Sequence, residues 1–83
     1  MKPECNVRFT TIDQVQKFVD NIRKMPYDVD ACHGNYIIDA KSLLGILSLS
    51  LNRPIKLVVH SDEEGCELAQ ELLNSLCEDF MDL

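Results

Sequence analysis

The residues best equipped for chemistry are Cys5, Cys32, Cys66 and Cys77, the histidines His33 and His60, and Ser42. No two of the cysteines form a CxxC, and no histidine stands at zinc-finger distance from them, so neither a metal site nor a disulfide framework has support in the spacing. Reduced cysteines in or near a core are the expectation, with no metal and no cofactor. A metal or redox role for the four thiols has composition alone behind it. His33 precedes Gly34 in a turn and His60 closes a strand, places where histidine is ordinarily a solvated polar residue. Serine, histidine and acid make no convincing triad, so the chain reads as a non-enzyme with no catalytic residue. Ser42 is different. It opens the run "LLGILSLSL" directly after Lys41. A serine there caps a helix by accepting from its first free amides, and the same amides with Lys41 suit a phosphate on that hydroxyl.

The run behind Ser42 is unusually apolar. With Leu43 at zero and about 100° per residue, Leu47, Leu51 and Leu44 fall at about 40°, 80° and 100°, and Ile46 and Leu49 at about 300° and 240°. The arc spans roughly 220°, about twice the stripe that a helix resting on a sheet buries. The spacing leaves two explanations open: other loops or a second copy cover both stripes, or one stripe is a docking patch for another protein.

The elements that must position these residues follow from periodicity. Val7 and Phe9 alternate with Arg8, giving a first strand over residues 6–9. In "TTIDQVQKFVDNIRKMP", Ile12, Val15, Phe18, Val19 and Ile22 recur at helical steps, with Thr10 or Thr11 as cap, Asp13 or Gln14 completing a capping box, and Pro26 as stop. "YDVDACHGNYIIDA" reads as two strands about a Gly34-Asn35 turn, with Val29, Ala31, Tyr36 and Ile38 as candidates for one face. The short helix behind Ser42 comes next, then a turn at "NRP". A central strand follows in "IKLVVHS", with Ile55, Leu57 and Val59 on one side. A last helix begins at Ser61 or Asp62 and runs through Cys66, Leu68 or Ala69, Leu72, Leu73, Leu76 and Phe80. The order β-α-β-β-α-β-α predicts an α+β sandwich, an antiparallel-rich sheet with helices on one face and the other face open.

The 83 residues suffice for one domain, 1–83, with a single modest core. Eight basic against fourteen acidic residues give a net charge of −6, a field that repels nucleic acid and anionic lipid. "MKPECNVRF" lacks a signal peptide's apolar run, and no stretch approaches the roughly 20 apolar residues of a spanning helix. The expected partners are therefore other proteins, in the cytoplasm, with no membrane role; the oligomeric state is left open.

"KSLLGILSL", residues 41–49, resembles the Lys-Ser-(Ile/Leu)-(Met/Leu)-Gly-(Val/Ile)-(Met/Leu)-Ser-Leu segment of HPr, the histidine-containing phosphocarrier of the bacterial sugar phosphotransferase system. The order of elements, the chain length, the preceding hairpin and the long C-terminal helix agree with that resemblance. It implies an HPr-like open-faced β-sandwich, a four-stranded antiparallel sheet with three helices on one face. It further implies that Ser42 matches a serine phosphorylated for regulation in some bacteria. Leu43, Leu44 and Leu47 match the surface that docks on partner proteins, leaving Ile46 and Leu49 for the core.

One part of the pattern is missing. The family's phosphohistidine lies in a Gly-(Ile)-His-Ala-Arg-Pro-Ala segment opening the first helix. Counting back from Ser42, the histidine falls at Thr11, its arginine near Asp13 and its proline near Gln14. Asp13 places a carboxylate where the helix dipole would hold a phosphate. The implied function is a non-catalytic, HPr-like protein-binding or regulatory module related to the phosphotransferase system, docking through the second helix. A divergent phosphocarrier using an atypical phosphorylation site is the alternative.

Overall fold

A computed structural model describes residues 2–49 and 51–82. Eight segments follow one another: β1 (Glu4–Val7), α1 (Ile12–Ile22), β2 (Val29–His33), β3 (Tyr36–Asp39), α2 (Leu43–Leu47), β4 (Ile55–Val59), α3 (Cys66–Cys77) and a 3₁₀ turn (Glu78–Phe80). The strands form one antiparallel sheet in the order β1-β4-β2-β3, with β4 central as its near-continuous apolar sequence requires. This is the α+β architecture expected from the order of elements.

The register explains which face is covered. Val7 pairs with Ile55, Ala31 with Leu57 and Ile38, and Val29 with Val59, so these apolar residues of all four strands share one face. Val7, Val29, Ala31, Ile55, Leu57 and Val59 are fully buried there, under Val15, Phe18, Val19 and Ile22 of α1, Ile46 of α2, and Ala69, Leu73 and Cys77 of α3. The opposite face carries Glu4, Asn6, Lys56, Asp30, Cys32, Ile37 and Asp39, and no helix packs on it. Phe9, Phe18 and Phe80 make a ring cluster with centroids 4.9, 5.7 and 6.0 Å apart. Each such pair contributes about 0.5–1.5 kcal/mol beyond its burial.

Gly34 takes the first central place of the β2–β3 turn with φ of 58°, where a side chain would be strained. At the 3₁₀ turn and just past it, residues 80–82 run beside β1. Arg8 N donates to Phe80 O, Asp82 N donates to Asn6 O, and Val7 bridges to Met81.

Several boundaries differ from the sequence reading. β1 lies two residues earlier than expected, because β4 begins only at Ile55, the partner of Val7, and Pro54 before it has no amide to extend the ladder. Phe9 is buried nonetheless, in the loop, where its carbonyl accepts from Asn52 N at 2.8 Å. α1 ends at Ile22, a turn before Pro26: Lys24 N and Met25 N bond back three residues to Asn21 O and Ile22 O, and Met25 plugs the core. α3 starts at Cys66. Neither expected cap, Ser61 or Asp62, caps it: Asp62 accepts from Gly65 N at 2.7 Å in the preceding turn, and Ala69 takes the core position while Leu68 faces outward.

Candidate functional site

The residues singled out in the sequence lie along α1 and α2: Thr11 opens α1, whereas Ser42 opens α2 beside the other end of α1, where Lys41 meets Arg23 and Met25. Thr11 caps α1: its backbone is extended (φ −136°, ψ 159°) and its Oγ1 accepts from Gln14 N at 3.2 Å. Gln14 closes the cap from the other side, its Oε1 accepting from Thr10 N at 2.7 Å and Thr10 Oγ1 at 3.1 Å. Asp13 adds a carboxylate to the same turn. The first turn is thus satisfied by its own side chains and already carries negative charge, which opposes an added anion.

Ser42 caps α2 in the same way, with Oγ accepting from Gly45 N at 3.1 Å. The close approach explains Gly45: a Cβ there would stand 3.3 Å from both Ser42 Cβ and Oγ and 3.4 Å from Ile38 Cδ1. Ser42 is half-buried. Two cations flank it. Lys41 Nζ donates to Met25 O at 2.7 Å, and Arg23 Nε donates to Lys41 O at 3.0 Å. Asp39 lies on the same turn and accepts from Lys41 N at 2.9 Å. Arg23 is the neighbour that sequence reasoning missed: it stands far upstream, and only the packing of α1 against α2 brings it to the Lys41 carbonyl, one residue before Ser42.

The leucines of α2 separate into three environments. Ile46 and Leu49 are buried, Leu44 is 81% exposed and Leu47 37%, and Leu43 is half-buried against the core. Leu43 therefore offers only part of its side chain to a partner. The wide projected arc has a simple cause. α2 is five residues long and ends at Leu47, so Leu49 and Leu51 leave the helical path on which they were projected. Ser50, inside the same run, lies outside the described residues. Leu51 is 38% exposed and Ile12 61%. Ile12 belongs to the helical repeat and was expected in the core. As the first residue of α1, it is exposed instead. The bond from Asn52 N to Phe9 O ties the loop after α2, which carries Leu51, to the loop before α1.

Neither histidine is near Thr11 or Ser42. His60 lies at the open face, its Nε2 2.6 Å from Asp30 Oδ2 and its Nδ1 2.7 Å from Lys2 Nζ. An ammonium only donates, so Nδ1 accepts and Nε2–H donates to Asp30. His33 Nδ1 lies 3.3 Å from Pro54 O and donates to it. Ser61 Oγ, next to His60, is buried with no hydrogen-bond partner. Among the described residues no three His, Cys, Asp or Glu side chains converge as metal ligands, and the four cysteines form no disulfide. Cys5 and Cys77 do meet, side chain to side chain. Their hydrogen bond together with burial pushes the Cys77 thiol far above the ordinary range, while the bond accepted from Cys77 lowers that of Cys5 against its own burial. Among the described residues no helix is long and apolar enough to cross a membrane.

A helix-covered antiparallel sheet in the order β1-β4-β2-β3, with a short capped α2 between β3 and β4, is an HPr-like fold. Among solved structures the chain is similar to HPr-C-His from Thermoanaerobacter tengcongensis, with a TM-score of 0.69 and 24% sequence identity over 95% of this chain and 92% of that one. No protein-family model matches the sequence, and no curated protein matches it.

Proposed function

We propose that this protein is a non-catalytic, HPr-like binding module that docks on other proteins through α2, in a setting related to the bacterial sugar phosphotransferase system. The supporting observation is the exposed apolar side chains of Leu44 and Leu47 on α2, with Leu51 exposed in the loop after it and Ile12 exposed at the start of α1. Leu44 and Leu47 are the centre of the docking surface, and Leu43 contributes its outer edge. Thr11, at the position where the family's histidine would fall, is committed to capping. Asp13 beside it disfavours phosphoryl chemistry there. Ser42 is the regulatory position: a phosphate on it would carry about −1.5 to −2 charge beside Lys41 and Arg23, at the edge of the docking surface.

Incubation with phosphoenolpyruvate and enzyme I of the phosphotransferase system, followed by intact mass, tests the non-catalytic reading. The expected result is no acid-labile mass gain. A stoichiometric gain that disappears on acid treatment overturns it and makes the protein a divergent phosphocarrier.

A further inference from the structure

A second concave site lies on the other side of the α2–β4 loop. His33 and Tyr36 from the tip of the β2–β3 hairpin, Ile38 from β3, Ser48 and Leu49 from the end of α2, and Arg53 line an open-sided cavity of about 450 Å³. That volume lies in the range of small-molecule sites, roughly 300–1,000 Å³. Its floor is apolar, from the half-buried Ile38 and the buried Leu49. Its rim is polar, and its charge is opposite to that of the protein: in a chain with a net charge of −6, none of the six lining residues is acidic and one is arginine.

The polar groups of the rim are differently committed. No carboxylate or carbonyl among the described residues pairs with the Arg53 guanidinium. His33 Nδ1 is engaged with Pro54 O, which fixes the ring and leaves Nε2 as its remaining polar atom. Three carbonyls of α2, which would repel an anion, are occupied: Gly45 O accepts from Ser48 Oγ and Ser48 N, Leu44 O from Ser48 N, and Ile46 O from Leu49 N. The guanidinium fork of Arg53, without a partner among the described residues, over an apolar floor matches an oxyanion carried on an apolar body.

We infer that this cavity binds a small organic anion, a carboxylate or phosphate ester, with the oxyanion on Arg53 and the apolar body over Ile38 and Leu49 beside Tyr36. The site shares Leu49 with the core under α2 but uses none of the exposed docking side chains, so it stands or falls separately from the docking surface.

Amide chemical shifts of the intact protein, titrated with phenyl phosphate and with benzoate, test the inference and separate its two sources of anion. The expected result is saturable shifts confined to residues 33–38 and 48–53 with at least one of the two probes, weakened about tenfold or more in Arg53→Gln, as the loss of a charge-assisted bond requires. Arg53 is exposed, so that variant should keep its fold, and unchanged far-UV circular dichroism verifies it. The inference is overturned if neither probe gives saturable shifts there, if Arg53→Gln binds as well as the parent, or if benzyl alcohol or inorganic phosphate alone reproduces the same shifts with equal affinity.

Discussion

Cys5 of β1 and Cys77 of α3 meet thiol to thiol beneath the helical layer, Cys77 with no exposed surface and Cys5 partly open. The pair is asymmetric. Cys77 is held protonated by its bond to Cys5 and by burial, whereas Cys5 is eased toward the thiolate by the bond it accepts. Because the folded value of Cys77 is raised, its contribution to stability is complete below the ordinary thiol value of 9.0 and declines as pH rises above it, where the unfolded chain ionises first. Alkylation with iodoacetamide near neutral pH, read by peptide mass, should therefore label Cys5 ahead of Cys77. Cys77 should be modified only when the protein unfolds, at alkaline pH or in denaturant. Equal labelling of both in the native protein would show that the pair does not form.

Leu44→Glu should leave folding within about 0.5 kcal/mol of the parent, as solvent-facing changes do. Ile46→Ala, two positions on, should cost roughly 2–5 kcal/mol, the range for deleting a buried aliphatic side chain. Thermal melts measure both. If Leu44→Glu lowers the melting temperature as far as Ile46→Ala, the exposed group is not a free surface and the docking proposal loses its basis.

Leu47→Glu tests binding more than folding. The side chain is partly covered, so a modest loss of stability is expected. If the parent retains phosphotransferase-system or catabolite-regulation proteins as proposed, their retention should fall much further than stability. Undiminished retention in both Leu44→Glu and Leu47→Glu would move the interface elsewhere.

At Ser42 the cap and the regulatory role can be separated. Ser42→Ala removes the acceptor for Gly45 N and should cost about 0.5–2 kcal/mol. An HPr kinase should phosphorylate Ser42 in the parent protein, and Arg23→Gln, which removes the nearby cation, should lower the melting temperature of the phosphorylated form more than that of the unmodified one. Failure of the kinase to modify the protein while it modifies HPr in the same tube leaves Ser42 as a cap alone.

The order of elements, the antiparallel sheet and the core faces of β2 and β4 were legible because period-2 and period-3.6 patterns are local and strong there. Val29, Ala31, Ile55, Leu57 and Val59 needed no tertiary information. What escaped was set by contacts between distant segments. The start of β1 depends on where Pro54 ends its partner, and the exposure of Ile12 on how the first turn of α1 sits against the rest of the fold. Cys77 looked no different from Cys66 until α3 was laid on β1. In α2 the projection assumed a helix longer than the five residues that form, so Leu51 was assigned to an arc it does not occupy. Thr11, Ser42 and Leu44 could be placed from local pattern and resemblance. Arg23 and the His33–Arg53 cavity could not, because no sequence spacing marks residues brought together by a sheet edge and a loop.

The pairing of residues 80–82 along β1 has a bearing on solubility. A four-stranded open sheet presents two outer strands whose unsatisfied amides and carbonyls can recruit another chain. Here Phe80, Met81 and Asp82 occupy part of that backbone on the β1 side, and the Arg8–Asp82 ion pair, 3.2 Å between Nε and Oδ1, fastens them. Intermolecular sheet growth is thereby steered toward β3, only four residues long and ending in Asp39, a short and charged edge of the kind that discourages aggregation.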